Sequence, residues 1–223
     1  MDGADLSLDE HGAARHDRAA LRMLDALEAA LAGCPRDRAG VRLHGVAGLA
    51  PLLAPDGPLR PAVASLEPKA RPVRAILFDK TPGANWALGW HQDRTVAVKA
   101  RRDVPGYGPW STKAGVQHVE PPFDVLERMV TIRIHLDDVP ADNAPLLIAP
   151  GSHRLGRITK PDIADAVARC GAAACLARRG DVWAYATPIL HASVASDGHA
   201  HRRVLQVDYA AHDLAKPLEW LGV

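Results

Sequence analysis

His91-Gln92-Asp93, His191 and Arg202, the last eleven positions beyond the distal histidine, are the residues whose types and spacing could do chemistry. Two imidazoles and one carboxylate can bind one face of an octahedral Fe(II) ion. They leave three positions open for a bidentate cosubstrate and O2. A guanidinium on the strand after the distal histidine could anchor the far carboxylate of that cosubstrate through a bidentate, charge-assisted pair. The set therefore reads as an iron centre working with 2-oxoglutarate and O2.

Each part also has a plainer reading. With 11 histidines in 223 residues, chance alone supplies about one His-x-Asp pair, and the chain holds two, His91-Gln92-Asp93 and His135-Leu136-Asp137. His118-Val119-Glu120 is a third triplet of suitable chemistry. Position separates them. In a metal-binding jelly roll the first two ligands come from an early strand and the third from a late one. His91 and Asp93 stand near the start of the strand series, whereas a start at His135 leaves too few strands to close a barrel. His191 is the single histidine of an apolar stretch, Pro188-Ile189-Leu190-His191-Ala192-Ser193. Arg202 and Arg203 alternate in direction along their strand, so one must face inward or sit at the mouth. An inward guanidinium needs an anion, because an unpaired buried charge is very costly. Ser193, on the same strand face as His191, could add a hydroxyl to that anion.

The elements that must position these groups are mostly short strands. Residues 1 to about 15 read as loose. His16 to Leu31 carries a helical apolar stripe of Leu21, Met23, Leu24, Leu27 and Leu31, closed by Gly33 and Pro35. Val41-Arg42-Leu43 is one short strand candidate in the Pro- and Gly-rich stretch 35–72. From Val73 the texture changes to strands near 73–79, 86–91, 94–99, 128–137, 145–149, 174–178, 181–186, 189–194 and 202–210. Turn residues at 83–85, 142–144, 150–152, 179–181 and 197–198 punctuate them, and one helix is expected near 161–169. This pattern predicts a mainly β fold, a double-stranded β-helix of the jelly-roll or cupin-like kind, with an N-terminal helix and a few flanking helices. Residues 1–72 are expected as a helical and irregular segment packed on the barrel, and 73–223 as the barrel core of one domain. The stretch 101–127 reads as a long loop of the sort that makes lids.

The length of 223 residues fits a single domain. The net charge of +1 comes from 27 basic and 26 acidic residues, scattered rather than clustered. That balance predicts no nucleic-acid partner and no anionic membrane partner. No apolar run suggests a membrane span, and the acidic N-terminus does not read as a secretory signal. Three sparse cysteines, Cys34, Cys170 and Cys175, suit a reducing compartment, so a cytoplasmic location is expected.

Together these residues resemble the phytanoyl-CoA dioxygenase family of Fe(II)/2-oxoglutarate oxygenases. The resemblance runs from Val73 to Tyr209. It includes Phe78-Asp79-Lys80, Trp90-His91-Gln92-Asp93, Leu136-Asp137-Asp138 and Asn143-Ala144-Pro145-Leu146. It continues through Pro150-Gly151-Ser152-His153-Arg154-Leu155-Gly156 and Gly180-Asp181-Val182 to His191-Ala192-Ser193 and the Arg202 strand. It implies that His91, Asp93 and His191 bind Fe(II), that Arg202 binds 2-oxoglutarate and that Ser193 assists. It also implies oxidative decarboxylation to succinate and CO2, coupled to oxidation of a small-molecule substrate. Retention of Asp93, which related halogenases lack, implies hydroxylation, desaturation or demethylation. Ala144 stands where the family usually has glycine, and the short chain leaves little beyond the core to hold a large acyl-CoA.

For the substrate, Thr131, Arg133 and His135 share one face of their strand. That face is either a solvated exterior or the barrel lining, in which case Arg133 would meet a substrate acid group and His135 would lie against substrate or behind it. Trp110, Tyr107 and His118 either close over the metal or pack their loop down. Lys80, on the strand entering the site, either contacts one of the acids or extends to solvent. Two rival functions use the same barrel: a cupin-like isomerase or hydrolase with another metal, and a non-catalytic small-molecule binding module. Neither calls for an inward Arg202.

Overall fold

The computed structural model describes residues 6–35, 38, 40–57, 59, 69–81, 86–195 and 201–223. The turns expected at 83–85 and 197–198 lie outside the described residues. Among those described, the early strands are β1 Ala13–His16, β2 Gly40–Leu43, β3 Arg71–Lys80, β4 Leu88–His91 and β5 Val96–Val98. A hairpin of β6 Trp110–Lys113 and β7 Val116–Val119 precedes β8 Met129–His135 and β9 Leu146–Ile148. The series ends with β10 Ala173–Cys175, β11 Val182–Ala186, β12 His191–Ser193 and β13 Arg202–Ala210. They form a six-stranded sheet ordered β1-β11-β8-β13-β3-β2, a four-stranded sheet ordered β10-β9-β12-β4, and a small sheet ordered β5-β7-β6. All recorded pairings are antiparallel. The two larger sheets form the jelly roll.

Strand alternation sorts the large sheet into two different faces. Ala75, Leu77, Ile132, Ile134, Val182, Ala184, Leu205 and Val207 turn outward into an apolar cluster completed by the N-terminal helices. The helix Leu24–Leu31 supplies Leu24, Leu27 and Leu31, one stripe at helical spacing. A short helix, Leu49–Leu53, adds Leu49 and Leu53, and Tyr209 Oη donates to the Leu53 carbonyl at 2.7 Å. The opposite, inward face is largely polar and is described below. Toward β1 and β10 the space between the sheets is filled by Trp183, Tyr185, Leu146, Ile148 and Ile189.

Two stretches depart from the sequence expectation. The supposedly loose N-terminus holds the helix Leu8–His11, capped by the Ser7 side chain, followed by β1 pairing along β11. Its register depends on a distant strand, so no local periodicity announces it. Gly12, at φ 73°, lies against the His153 ring, where a Cβ would clash at 2.2 Å. His153 thus sits beneath the start of β1 and away from the chemistry.

The expected lid at 101–127 is instead the β6–β7 hairpin plus the helix Phe123–Glu127. Its two-residue turn, Ala114-Gly115, takes φ values of 50° and 80°, the conformation that suits the twist of hairpin strands. Trp110 and Tyr107 pack into a third apolar cluster with Val73, Val96, Val98 and Trp220. The hairpin is held by packing and is not a free cover.

Because the N-terminal helices complete the outer cluster, the fold predicts coupled unfolding. Leu27→Ala should destabilise the whole chain by about 2–5 kcal/mol in one denaturant transition. Two separate transitions, followed by circular dichroism and tryptophan fluorescence, would show that residues 1–72 fold on their own.

Candidate metal and cosubstrate site

The short strands β4 and β12 are neighbours in the four-stranded sheet, and their register sets His191 opposite His91. The two rings face each other at 4.2 Å between centroids, tilted by 57°. Asp93 follows two residues after His91. One ligand atom from each of His91, Asp93 and His191 falls within 4.8 Å of the others, and no other group of three or more His, Cys, Asp or Glu among the described residues could hold a metal ion.

The histidines are held in a common way. His91 Nδ1 lies 2.8 Å from the Gly89 carbonyl and His191 Nδ1 lies 3.0 Å from the Ile189 carbonyl. Each carbonyl accepts from a protonated Nδ1, which leaves Nε2 of both rings as the free lone pair. Burial, with His91 adding to it, takes the His191 imidazole down to about 4, so it is neutral at physiological pH. Burial alone would raise the Asp93 carboxyl, but Arg74 and the two imidazoles outweigh it and keep its pKa below the ordinary value. Two imidazole nitrogens and one carboxylate oxygen are the donor set that an Fe(II) facial site needs.

Residues that the sequence did not single out support this arrangement. Gln92, between the two early ligands, points the other way. Its amide donates to the Pro188 carbonyl at 2.8 Å and the Gly156 carbonyl at 3.0 Å, and its oxygen accepts from Ile158 N–H at 2.9 Å. Arg74 Nη2 donates to Asp93 at 3.3 Å while its Nε donates to the buried Asp208. Asp208 also accepts from Thr131 Oγ1 at 3.0 Å. A chain Thr131–Asp208–Arg74–Asp93 therefore runs along the inner sheet face and aims the carboxylate. Each of these residues was present in the strand alternation, but only the cross-strand registers Asp208↔Arg74 and Asp208↔Thr131 show that they meet.

Beside the three ligands lies a cavity of about 330 Å³. His91, Asp93, His191, Ser193, Lys80, Arg133 and Arg202 all line it. Arg202 is 3% exposed, yet its Nε and Nη1 have no hydrogen-bond partner among the described residues. Burial and the neighbouring Arg133 press its guanidinium down to about 9. Lys80, in register with Arg202 across β3 and β13, is brought down to about 8 by burial and by Arg202 and Arg133. Three cations in one buried corner call for an anion.

Lys80 and Arg133 are partly satisfied already. The Lys80 ammonium donates to Ser193 Oγ at 3.0 Å and to the carbonyls of Trp86 and Val194 at 2.7 and 2.6 Å. Arg133 Nη1 donates to Gln206 Oε1 at 2.8 Å, and its guanidinium lies over the Phe78 ring at 5.3 Å. Tyr185 Oη also donates to Gln206 Oε1, at 3.3 Å. The Thr131–Arg133–His135 face thus belongs to the barrel interior, not to a solvated exterior.

Two sequence candidates for the substrate fall outside the cavity lining. His135 is buried behind it, with both ring nitrogens unpartnered among the described residues and its pKa well below the usual imidazole value through burial, Arg133 and Arg202. Trp110 packs in the third apolar cluster under Arg101, at 5.4 Å from ring to guanidinium. Its strand pairs with β7 and turns it away from the metal ligands. His118, on β7, is buried with Nδ1 against the Val116 carbonyl and likewise does not line the cavity.

The sequence profile of the family Phytanoyl-CoA dioxygenase (PhyH) matches residues 59–204. No curated protein matches the chain. Among solved structures, EctD from S. alaskensis in its apo form superimposes with a TM-score of 0.64 at 16% identity, covering 100% of this chain and 83% of EctD. HygX from Streptomyces hygroscopicus, with nickel and 2-oxoglutarate bound, gives 0.60 at 15% identity over 91% of this chain and 84% of HygX. The non-heme alpha ketoglutarate dependent carbocyclase SnoK from nogalamycin biosynthesis gives 0.60 at 18%, over 100% and 90%. At such identities the likeness is one of fold, and it is the jelly roll already described. The profile match spans more than half the chain and takes in β3, both early metal-ligand candidates, the distal histidine and Arg202. The chain belongs to the phytanoyl-CoA dioxygenase family of Fe(II)- and 2-oxoglutarate-dependent oxygenases, which use O2.

Proposed function

We propose that this protein is an Fe(II)/2-oxoglutarate-dependent dioxygenase that hydroxylates a small polar or acidic molecule, with release of succinate and CO2. One observation carries the reading. The His91–Asp93–His191 cluster shares its cavity with a buried Arg202 whose guanidinium lacks a partner among the described residues. A cupin-like isomerase, a hydrolase or a passive binding barrel would leave that charge unexplained.

In this reading His91 Nε2, His191 Nε2 and an Asp93 oxygen hold the metal. Arg202 takes the far carboxylate of 2-oxoglutarate, with Ser193 Oγ adding a hydrogen bond. Lys80, its three protons already engaged, holds Ser193 in place and adds positive potential. Iron, 2-oxoglutarate and O2 together supply the oxidant for a C–H bond. The chain's own share is to fix the ligand lone pairs, to bind the cosubstrate in one orientation and to keep the site dry. Asp93 would supply the third protein ligand to the metal, which favours hydroxylation over halide transfer. The cavity is near the lower end of the ~300–1,000 Å³ typical of ligand pockets, which suits a small substrate. No helix among the described residues is long and apolar enough to cross a membrane.

Three outcomes follow. Asp93→Ala should abolish Fe(II) binding and Fe(II)-dependent succinate formation; full activity in this variant would assign the metal elsewhere. Arg202→Ala should raise the 2-oxoglutarate KM by about tenfold or more, the loss of a charge-assisted pair worth roughly 1.5–3 kcal/mol, with Fe(II) affinity unchanged by titration. Asp208→Asn frees Arg74 from its buried partner and should weaken Fe(II) binding by about 10–100-fold, the usual cost of losing an outer-shell contact. Unaltered affinity in a folded Asp208→Asn protein would remove the Asp208–Arg74 chain from the metal site.

A further inference from the structure

The cavity holds more positive charge than the metal and cosubstrate account for. Among the described residues, six of its lining side chains are cationic and only one, Asp93, is a carboxylate. Lys80, Arg133 and Arg202 form the corner described above, and Arg74 is neutralised by Asp208 and Asp93. Two cations remain. Arg42 lies on the edge strand β2, level with Ile76 of β3. Lys113 ends β6, next to the Ala114-Gly115 turn. Neither forms an ion pair among the described residues, and the buried Nε of Arg42 has no hydrogen-bond partner. Each feels the other's neighbourhood: Arg74 acts on both, and Lys113 also senses Arg42 and Asp93.

Iron would bring two positive charges and 2-oxoglutarate two negative ones, so their binding leaves the surplus in place. The surplus is also displaced from the cosubstrate corner. Arg202 is in register with Lys80, at one end of β3, whereas Arg42 is in register with Ile76, four residues further along. At about 3.3 Å per residue that is roughly 13 Å. Arg42 therefore enters the cavity well along β3 from the Arg202 corner, near Arg74, and Lys113 lies near Arg74 and Asp93. Ile76, Phe78 and Leu88 line the space between the two corners, and among the described lining residues Asp93 alone supplies a counter-charge.

We propose that Arg42 and Lys113 form the anion subsite for the primary substrate, which carries a carboxylate or phosphate group joined to a small apolar body. This deepens the dioxygenase reading and rests on it. It also moves the substrate's acid partner from Arg133, whose Nη1 donates to Gln206 although its Nε has no partner among the described residues, to the edge strand and the hairpin.

The test uses the full-length protein loaded anaerobically with Fe(II) and saturating 2-oxoglutarate, so that the Arg202 corner is filled. Hexanoate, hexyl phosphate and the neutral hexanamide are titrated by calorimetry, while the visible charge-transfer band of the Fe(II)–2-oxoglutarate complex is followed in parallel. At least one anion should bind about tenfold or more tightly than hexanamide, as expected for a charge-assisted contact. The stronger of the two anions identifies carboxylate or phosphate. The double variant Arg42→Gln/Lys113→Gln should erase that preference and keep the band. Equal binding of all three probes, or an undiminished preference in the double variant with its band intact, would overturn the anion subsite. Failure of the parent protein to form the band would instead overturn the dioxygenase reading, and the subsite with it.

Discussion

The site exists because β4 and β12 pair in one register. His91 and His191 are a hundred residues apart in sequence, and cross-strand opposition alone brings their rings to 4.2 Å. A slip of one residue would turn one ring to the other face of the sheet. Both strands are short, so the backbone ladder between them is a weak guarantee. Gln92 strengthens it by binding the chain on either side, at Pro188 before β12 and at Gly156–Ile158 beyond the 150–152 turn. The residue between two candidate ligands is thus part of what keeps them in place.

The inner face of the large sheet obeys a second constraint, that buried charge must be matched. Near the metal ligands the matching is internal, with Arg74 shared by Asp93 and Asp208. Near Arg202 it is incomplete: burial first, and the neighbouring cations second, lower the proton affinities of Lys80 and Arg202. A fold selected for stability alone would place apolar side chains there, as it does on the outer face. The two faces of β3, β8 and β13 thus differ, one lining the cavity and the other joining the apolar core.

Much of this was legible in the chain because it lies in strong local signals. The strands β3, β8, β11 and β13 are long enough for alternation to show, and the family motifs sit at their ends. The candidate ligands His91, Asp93 and His191, with Ser193 and Arg202, were picked out by spacing and resemblance, and all five line one cavity. What was not legible depends on tertiary pairing. β1 has no periodicity of its own, and Ala114-Gly115 is a weak turn signal beside Asn-Gly. Trp110 was open to two readings, closing over the metal or packing its loop down, because nothing local shows that its strand pairs with β7. Ala144 takes the left-handed φ of 47° that the family reserves for glycine; it is buried, so packing fixes a backbone that its residue type disfavours.

β2 is the outermost strand of the large sheet, bonded to β3 on one side only. The cosubstrate corner is built instead on β13 and β8, in the middle of that sheet, and on β3. Replacing a side chain at the periphery disturbs one ladder, whereas replacing one at the centre disturbs two. Under the proposed assignments, the barrel keeps the cosubstrate anchor on inner strands and the substrate's anion partner on an edge strand and a hairpin.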